Sequence, residues 1–239
     1  MQFGEIVAPT IKELFIQRIE GMILSGTLKP GDSLPTEREL ADEMKISKTV
    51  VHEGIRELSR LGFLDVISRK GVTVADYAQN GNLDTLMAIM RYNSGRLDQK
   101  TMRSLLDIRG FLECPALEAL AAHHTAADIE RLENLLKDAF AVPTDDIPSL
   151  ANALFRFHRT IIFLSGNTIT PLILNAFMPA SLTFWEDYIR ITGAETCLKQ
   201  LEFFLSCIRS GDGKKAARTL KQGLDEFSTE RNRASKPLF

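Results

Sequence analysis

The sequence predicts a mainly α-helical protein in two parts: an N-terminal winged helix-turn-helix with a β-hairpin wing, then an all-helical antiparallel bundle of about seven helices. Three observations lead there. The 239 residues exceed one typical domain and suit two. Strand-like β-branched runs occur only between residues 63 and 74, around a short basic turn. Beyond residue 83 every stretch carries apolar residues at helical spacing, broken by Gly, Pro and polar turns.

The first helix spans 9–26: Ile11, Leu14, Phe15, Ile19, Met22 and Ile23 share one face, and Gly26 stops it. Pro30 and Gly31 supply a turn. Thr36 with Glu39 reads as a capping box for a short helix reaching about Met44. After Lys45-Ile46, Ser47 is a good N-cap for a helix reaching Arg60. Ala41, Ile46, Val51, Ile55 and Leu58 then point inward, which makes the pair a helix-turn-helix. Phe63–Ile67 and Val72–Val74 flank Ser68-Arg69-Lys70-Gly71 as the wing. The predicted first domain is 1–76, and the polar stretch 77–82 reads as a linker. The bundle, 83–239, is expected as helices at 83–93, 98–123, 125–140, 147–164, 168–190, 194–210 and 212–231.

Composition narrows the function classes. Apolar residues make up 44% and charged residues 25%, ordinary for a globular protein with real cores. No run approaches the roughly 20 apolar residues that cross a bilayer, and the first residues lack a signal-peptide layout, so a cytoplasmic location with no membrane partner is expected. Cys114, Cys197 and Cys207 are odd in number and share no CxxC spacing; buried, inert thiols are expected. Net charge is −2, and residues 1–76 carry ten basic against twelve acidic side chains. Any nucleic-acid contact must therefore rest on where charges sit. No metalloprotease, phosphate-loop or triad motif stands out, so neither an enzyme nor a cofactor is expected.

The stretch Pro30-Gly31-Asp32-Ser33-Leu34-Pro35-Thr36-Glu37-Arg38-Glu39-Leu40-Ala41 resembles the N-terminal signature of the GntR family. Ser47–Leu58, followed by Leu61-Gly62-Phe63-Leu64, is similar to that family's recognition helix, and the helical half resembles its FadR subfamily. The resemblance implies a homodimer on a palindromic double-stranded DNA operator. A recognition helix needs donors at its N-terminal turn; here these are Ser47, Lys48, Thr49 and His52, with Arg38 from the preceding helix and Arg69, Lys70 and Gly71 at the wing tip. The family usually has Arg where this chain has Lys48 and His52, and lysine cannot make the bidentate fork to guanine.

Most members of the subfamily hold a metal through one Asp and three His. In this chain only His158 matches; Leu154, Leu201 and Gly223 occupy the other positions, so no metal site is expected. Apolar and small replacements suit an apolar ligand. Ser165 through Met178, including Asn175 and Phe177, resembles the subfamily's fatty-acid-responsive members, which makes a long-chain acyl-CoA or fatty acid the expected effector. Arg109, Arg156, Arg159, Lys214, Lys215, Arg218 and Lys221 are the cations that could meet its phosphates. A small organic acid held without metal is the alternative, and a pocket too small for an acyl chain would rule the first reading out. Effector binding is expected to re-angle the two domains through 77–82.

Overall fold

The structure is a computed structural model that describes residues 8–67, 71–92 and 99–234, with side chains to Thr229. Chain contacts divide it into two units, one ending at Asn93 and the other beginning at Ser94.

In the first unit α1 (Ile11–Leu24), α2 (Glu37–Met44) and α3 (Lys48–Arg60) pack around Phe15, Ile19, Ile55 and Leu58. Capping boxes start α1 at Thr10–Glu13 and α2 at Thr36–Glu39. The wing is an antiparallel pair, β1 (Leu64–Ile67) and β2 (Gly71–Val74), with Leu64 opposite Val74. Residues 31–34 add to its edge: the amides of Gly31 and Leu34 donate to the carbonyls of Val74 and Val72. That bonding ties the turn before α2 to the wing.

The stretch expected to be a linker is structured. Asp76 caps a short helix, α4 (Tyr77–Asn80), and Tyr77 sets its ring 5.6 Å from Phe63. Asn82 caps α5 (Leu83–Tyr92), accepting from the Thr85 amide at 3.1 Å. The buried Thr85 hydroxyl donates to the Leu61 carbonyl at 2.7 Å, and Arg60 meets Asp84 at 2.6 Å. Asp and Asn in 76–82 therefore serve as helix caps rather than as turn residues, and α5 joins the N-terminal unit.

The second unit is built from α6 (Gln99–His123), α7 (Ala126–Ala141), α8 (Ile147–Leu164), α9 (Thr170–Ala176), α10 (Met178–Thr192), α11 (Ala194–Arg209) and α12 (Gly213–Ala234). The expected single helix over 168–190 is two. Pro179 has no amide hydrogen for the Asn175 carbonyl, and the chain turns at Phe177. The number of bundle helices matches the expectation only because this break offsets the loss of α5. Among the described residues no helix is long and apolar enough to cross a membrane.

Candidate DNA-reading helix and buried polar site

Ser47 is the N-cap of α3: its hydroxyl accepts from the Val50 amide at 3.3 Å. Lys48, Thr49 and His52 follow on the exposed side of α3, while Val51, Ile55 and Leu58 hold the other side in the core. The helix thus offers free amides, a positive dipole end and polar side chains at one tip. His52 is less free than its neighbours, because Nδ1 lies 2.7 Å from Glu37 Oε1 on α2. Arg38 projects from α2 almost fully exposed, with Asp42 3.9 Å away. Arg56, one turn beyond His52 on the same exposed face, is a residue the sequence reading passed over. Its spacing of four from His52 is the signal that could have found it. Gly71 adopts φ +97° at the start of β2; Arg69 and Lys70 lie outside the described residues.

The turn between α2 and α3 runs through Lys45 in the left-handed region, φ 54° and ψ 43°. A side chain there costs about 1–2 kcal/mol. Lys45→Gly should therefore raise the unit's stability by about 0.5–1 kcal/mol, after the glycine's greater unfolded-state entropy is counted. Denaturant titration checks this.

The second unit buries an ionic triad. Arg109 and Glu113, one turn apart on α6, are both about 2% exposed. Arg109 donates from Nε to Glu113 Oε1 at 2.6 Å and from Nη2 to Oε2 at 3.2 Å. His158 on α8 places Nδ1 2.6 Å from Glu113 Oε2. Burial alone would raise the Glu113 carboxyl, but the charges and hydrogen bonds of Arg109 and His158 outweigh it and hold it at about 2. An ionised carboxylate only accepts, so Nδ1 of His158 carries the hydrogen. The guanidinium lies 4.4 Å from the Phe184 ring and 4.6 Å from the Trp185 ring. One of its donors, Arg109 Nη1, is buried without any hydrogen-bond partner; the other such side-chain atom among the described residues is Ser181 Oγ.

Of the residues predicted to receive an effector, Arg109, His158 and Gly223 line this site together with Tyr188 and Gln200. The others lie away from this cavity. Leu154 and Leu201 are packed core, 0% and 1% exposed, and do not line the cavity. Phe177 is buried at the α9–α10 break, and Asn175 faces outward on α9. Arg156 meets Asp138, and Arg159, Lys214, Lys215 and Arg218 are exposed. Glu113 escaped the sequence reading; an acid four residues after Arg109, on a face shared with Leu106 and Leu117, was its signal. The cavity itself holds about 20 Å³, room for one water. The donors do not fit a transition metal, because two of the subfamily's ligand positions are buried leucines and a third is Gly223. Among the described residues no three His, Cys, Asp or Glu side chains gather as a metal-holding group.

Burial also pushes the Cys197 thiol up to about 12 and raises those of Cys207 and of the half-buried Cys114.

A winged helix-turn-helix with an open recognition-helix tip, on the same chain as a helical bundle with a buried polar site, defines a two-domain transcription regulator. Comparison with known families agrees: residues 12–74 match the model for bacterial regulatory proteins of the gntR family, and residues 104–226 match the FCD domain. The chain belongs to the GntR family and carries its FCD-type effector domain. It is 28% identical to the HTH-type transcriptional regulator Mce2R of Mycobacterium tuberculosis over 75% of this chain and 74% of that one. It is 24% identical to the HTH-type transcriptional regulator LutR of Bacillus subtilis, over 82% and 89%. It is 27% identical to the fatty acid metabolism regulator protein of Edwardsiella ictaluri, over 64% and 62%. A solved structure of Lar, which controls expression of the Listeria monocytogenes agr system, shares the fold with a TM-score of 0.61 at 17% identity, covering 95% of this chain and 99% of that one.

Proposed function

We propose that the protein is a homodimeric, ligand-responsive transcription regulator that reads a two-fold operator and takes a small organic anion as its effector. The DNA part rests on the open tip of α3, where Lys48 and Thr49 stand exposed beside the Ser47 cap. Lys48 and Arg38 meet bases or phosphates, Ser47 and Thr49 hold the backbone, Arg56 extends the contact, and the wing around Arg69, Lys70 and Gly71 lies at the minor groove. Arg38→Ala and Lys48→Ala are each expected to weaken operator binding by about 1–3 kcal/mol, roughly 5- to 150-fold. Fluorescence anisotropy on the selected operator measures the loss.

The observation that carries the effector reading is the unpaired Arg109 Nη1 in a site already lined by His158, Tyr188 and Gln200. A buried guanidinium donor without a partner costs about 1–3 kcal/mol, which a carboxylate oxygen would recover. Occupancy that changes operator affinity ten- to a hundred-fold needs about 1.4–2.8 kcal/mol of coupling.

A long-chain acyl-CoA is the second reading, favoured by the relatives named fatty acid metabolism regulators. A cavity of about 20 Å³ has room for one water, so either ligand requires the helices around Arg109 to part, and an acyl chain requires far more of that opening than a short carboxylate does. Calorimetry with a panel of short mono- and dicarboxylates and with oleoyl-CoA separates the two. Saturable binding of a short carboxylate, abolished by Arg109→Met, supports the first reading. Binding of oleoyl-CoA alone, near one per subunit, would replace it with the second.

A further inference from the structure

A second surface of the effector unit is unaccounted for. Helices α6 and α12 run antiparallel and meet closely at one end, where a Cβ on Gly213 would come within 2.6 Å of Glu118 Cα. Toward the other end they enclose a groove of about 670 Å³ on the outside of the unit. Its floor is Leu106, Gly110, Cys114 and Leu224, and Phe111 rises from its edge with 79% of its surface exposed. That makes Phe111 the most exposed large apolar side chain among the described residues. Gly110 leaves a notch beside it, since a Cβ there would meet only Leu224, at 3.9 Å. Pro115, one turn on, has no amide hydrogen for the Phe111 carbonyl, so a backbone acceptor opens at the same place.

The groove's charges are two of each sign: Arg103 and Asp107 on α6, Lys221 and Asp225 on α12. Each pair is spaced four residues apart on its own helix, the spacing that favours an ion pair. Neither pair is made, and none of the four side chains is in an ion pair among the described residues. A face with an exposed aromatic ring, a notch, and balanced, uncommitted charges is complementary to itself. In a two-fold contact each residue meets the other copy's counterpart of its own partner, so opposite charges on one face pair across the axis. A ligand of single charge sign would leave two of the four unsatisfied.

From this we infer that the α6–α12 groove is the surface through which the effector units of two copies associate, with Phe111 of each copy entering the Gly110 notch of the other. The inference rests on the homodimer proposed above and names its surface. An exposed ring at the centre of such a contact carries much of the association energy.

Sedimentation velocity on the full chain tests it. Phe111→Arg should raise the dimer dissociation constant at least a hundred-fold. Leu172→Arg, which alters an exposed leucine on α9 away from the groove, should leave it within a few-fold. A dimer that survives Phe111→Arg overturns the surface while the dimer reading stands; a wild-type chain that is monomeric throughout overturns both. If Phe111→Arg does not fold, the native thiols decide. Cys114 is half-buried in the groove, whereas Cys197 and Cys207 are 1% and 3% exposed. Maleimide labelling of Cys114 should slow at least ten-fold as protein concentration rises through the dimer dissociation constant. A rate indifferent to protein concentration overturns the inference, and so does one slowed only by added oleoyl-CoA, which would assign the groove to a lipid.

Discussion

Glu113→Ala is expected to cost the effector unit about 3–5 kcal/mol, because it leaves the Arg109 guanidinium buried with no counter-charge. Arg109 is 2% exposed and its nearest companions besides Glu113 are the Phe184 and Trp185 rings, which attract a cation but cannot accept hydrogen bonds. The double substitution Arg109→Met with Glu113→Leu removes both charges and keeps the volume, so it should recover most of that stability. It should not recover the ligand response, since the unpaired Nη1 goes with it. Urea denaturation compares the three proteins. If Glu113→Ala and the double variant were equally unstable, packing around α6 rather than charge would set the cost. The pH dependence has a definite sign. The Glu113 carboxyl is held at about 2 in the folded chain, below its ordinary value of 4.5. Its contribution is therefore fully present above about 4.5 and is lost as the pH falls toward 2. The stability gap between wild type and Glu113→Gln should be constant near neutrality and close in that acid window.

Gly54→Val should destabilise the DNA-reading unit by about 3 kcal/mol, the upper end of the cost of overpacking a core. A Cβ at position 54 would fall 2.3 Å from Cδ1 and 2.6 Å from Cε1 of Phe15. Phe15 is itself 3% exposed and enclosed by the rest of that core, so its ring has nowhere to go. Gly54→Ala should cost less, since alanine regains about 1 kcal/mol of helix propensity. Because Gly54 is where α1 crosses α3, either change also displaces the tip of α3, and operator affinity should fall with stability. Circular dichroism melts and operator anisotropy on the same preparations measure both effects. A valine variant as stable as wild type would mean that α1 and α3 cross elsewhere.

The N-terminal unit was legible because its signals are local. Thr36–Glu39, Ser47 and the β-branched runs at 63–74 each act within a few residues of themselves, and the structure uses all of them. The boundary at 77–82 misled for the same reason: Asp76 and Asn82 are turn residues by composition, and contacts distant in the chain, Thr85 with the Leu61 carbonyl and Asp84 with Arg60, make α5 part of the first unit. The break at Phe177 was written in Pro179 but hidden by apolar spacing that continues through it. At the buried polar site Arg109, His158 and Gly223, singled out by their positions in the sequence, line one cavity, whereas Glu113 was not singled out. The spacing of four from Arg109 points to an ion pair, but the burial of Glu113 also depends on His158 from another helix, a partner 45 residues away that no spacing along one helix announces. Cavity size is likewise a property of packing. Leucines at former ligand positions read as a greasy pocket, whereas the folded bundle closes over them and leaves one polar site around Arg109.

If α3 reads DNA as one of a symmetric pair, selection of random-sequence duplexes on the whole chain will show it. An inverted repeat with half-sites about one helical turn apart should be enriched, and the selected duplex should lose roughly 5- to 150-fold in affinity with Arg38→Ala or Lys48→Ala. No enrichment, or a selected sequence without two-fold symmetry that both variants bind as wild type does, would contradict that reading of α3.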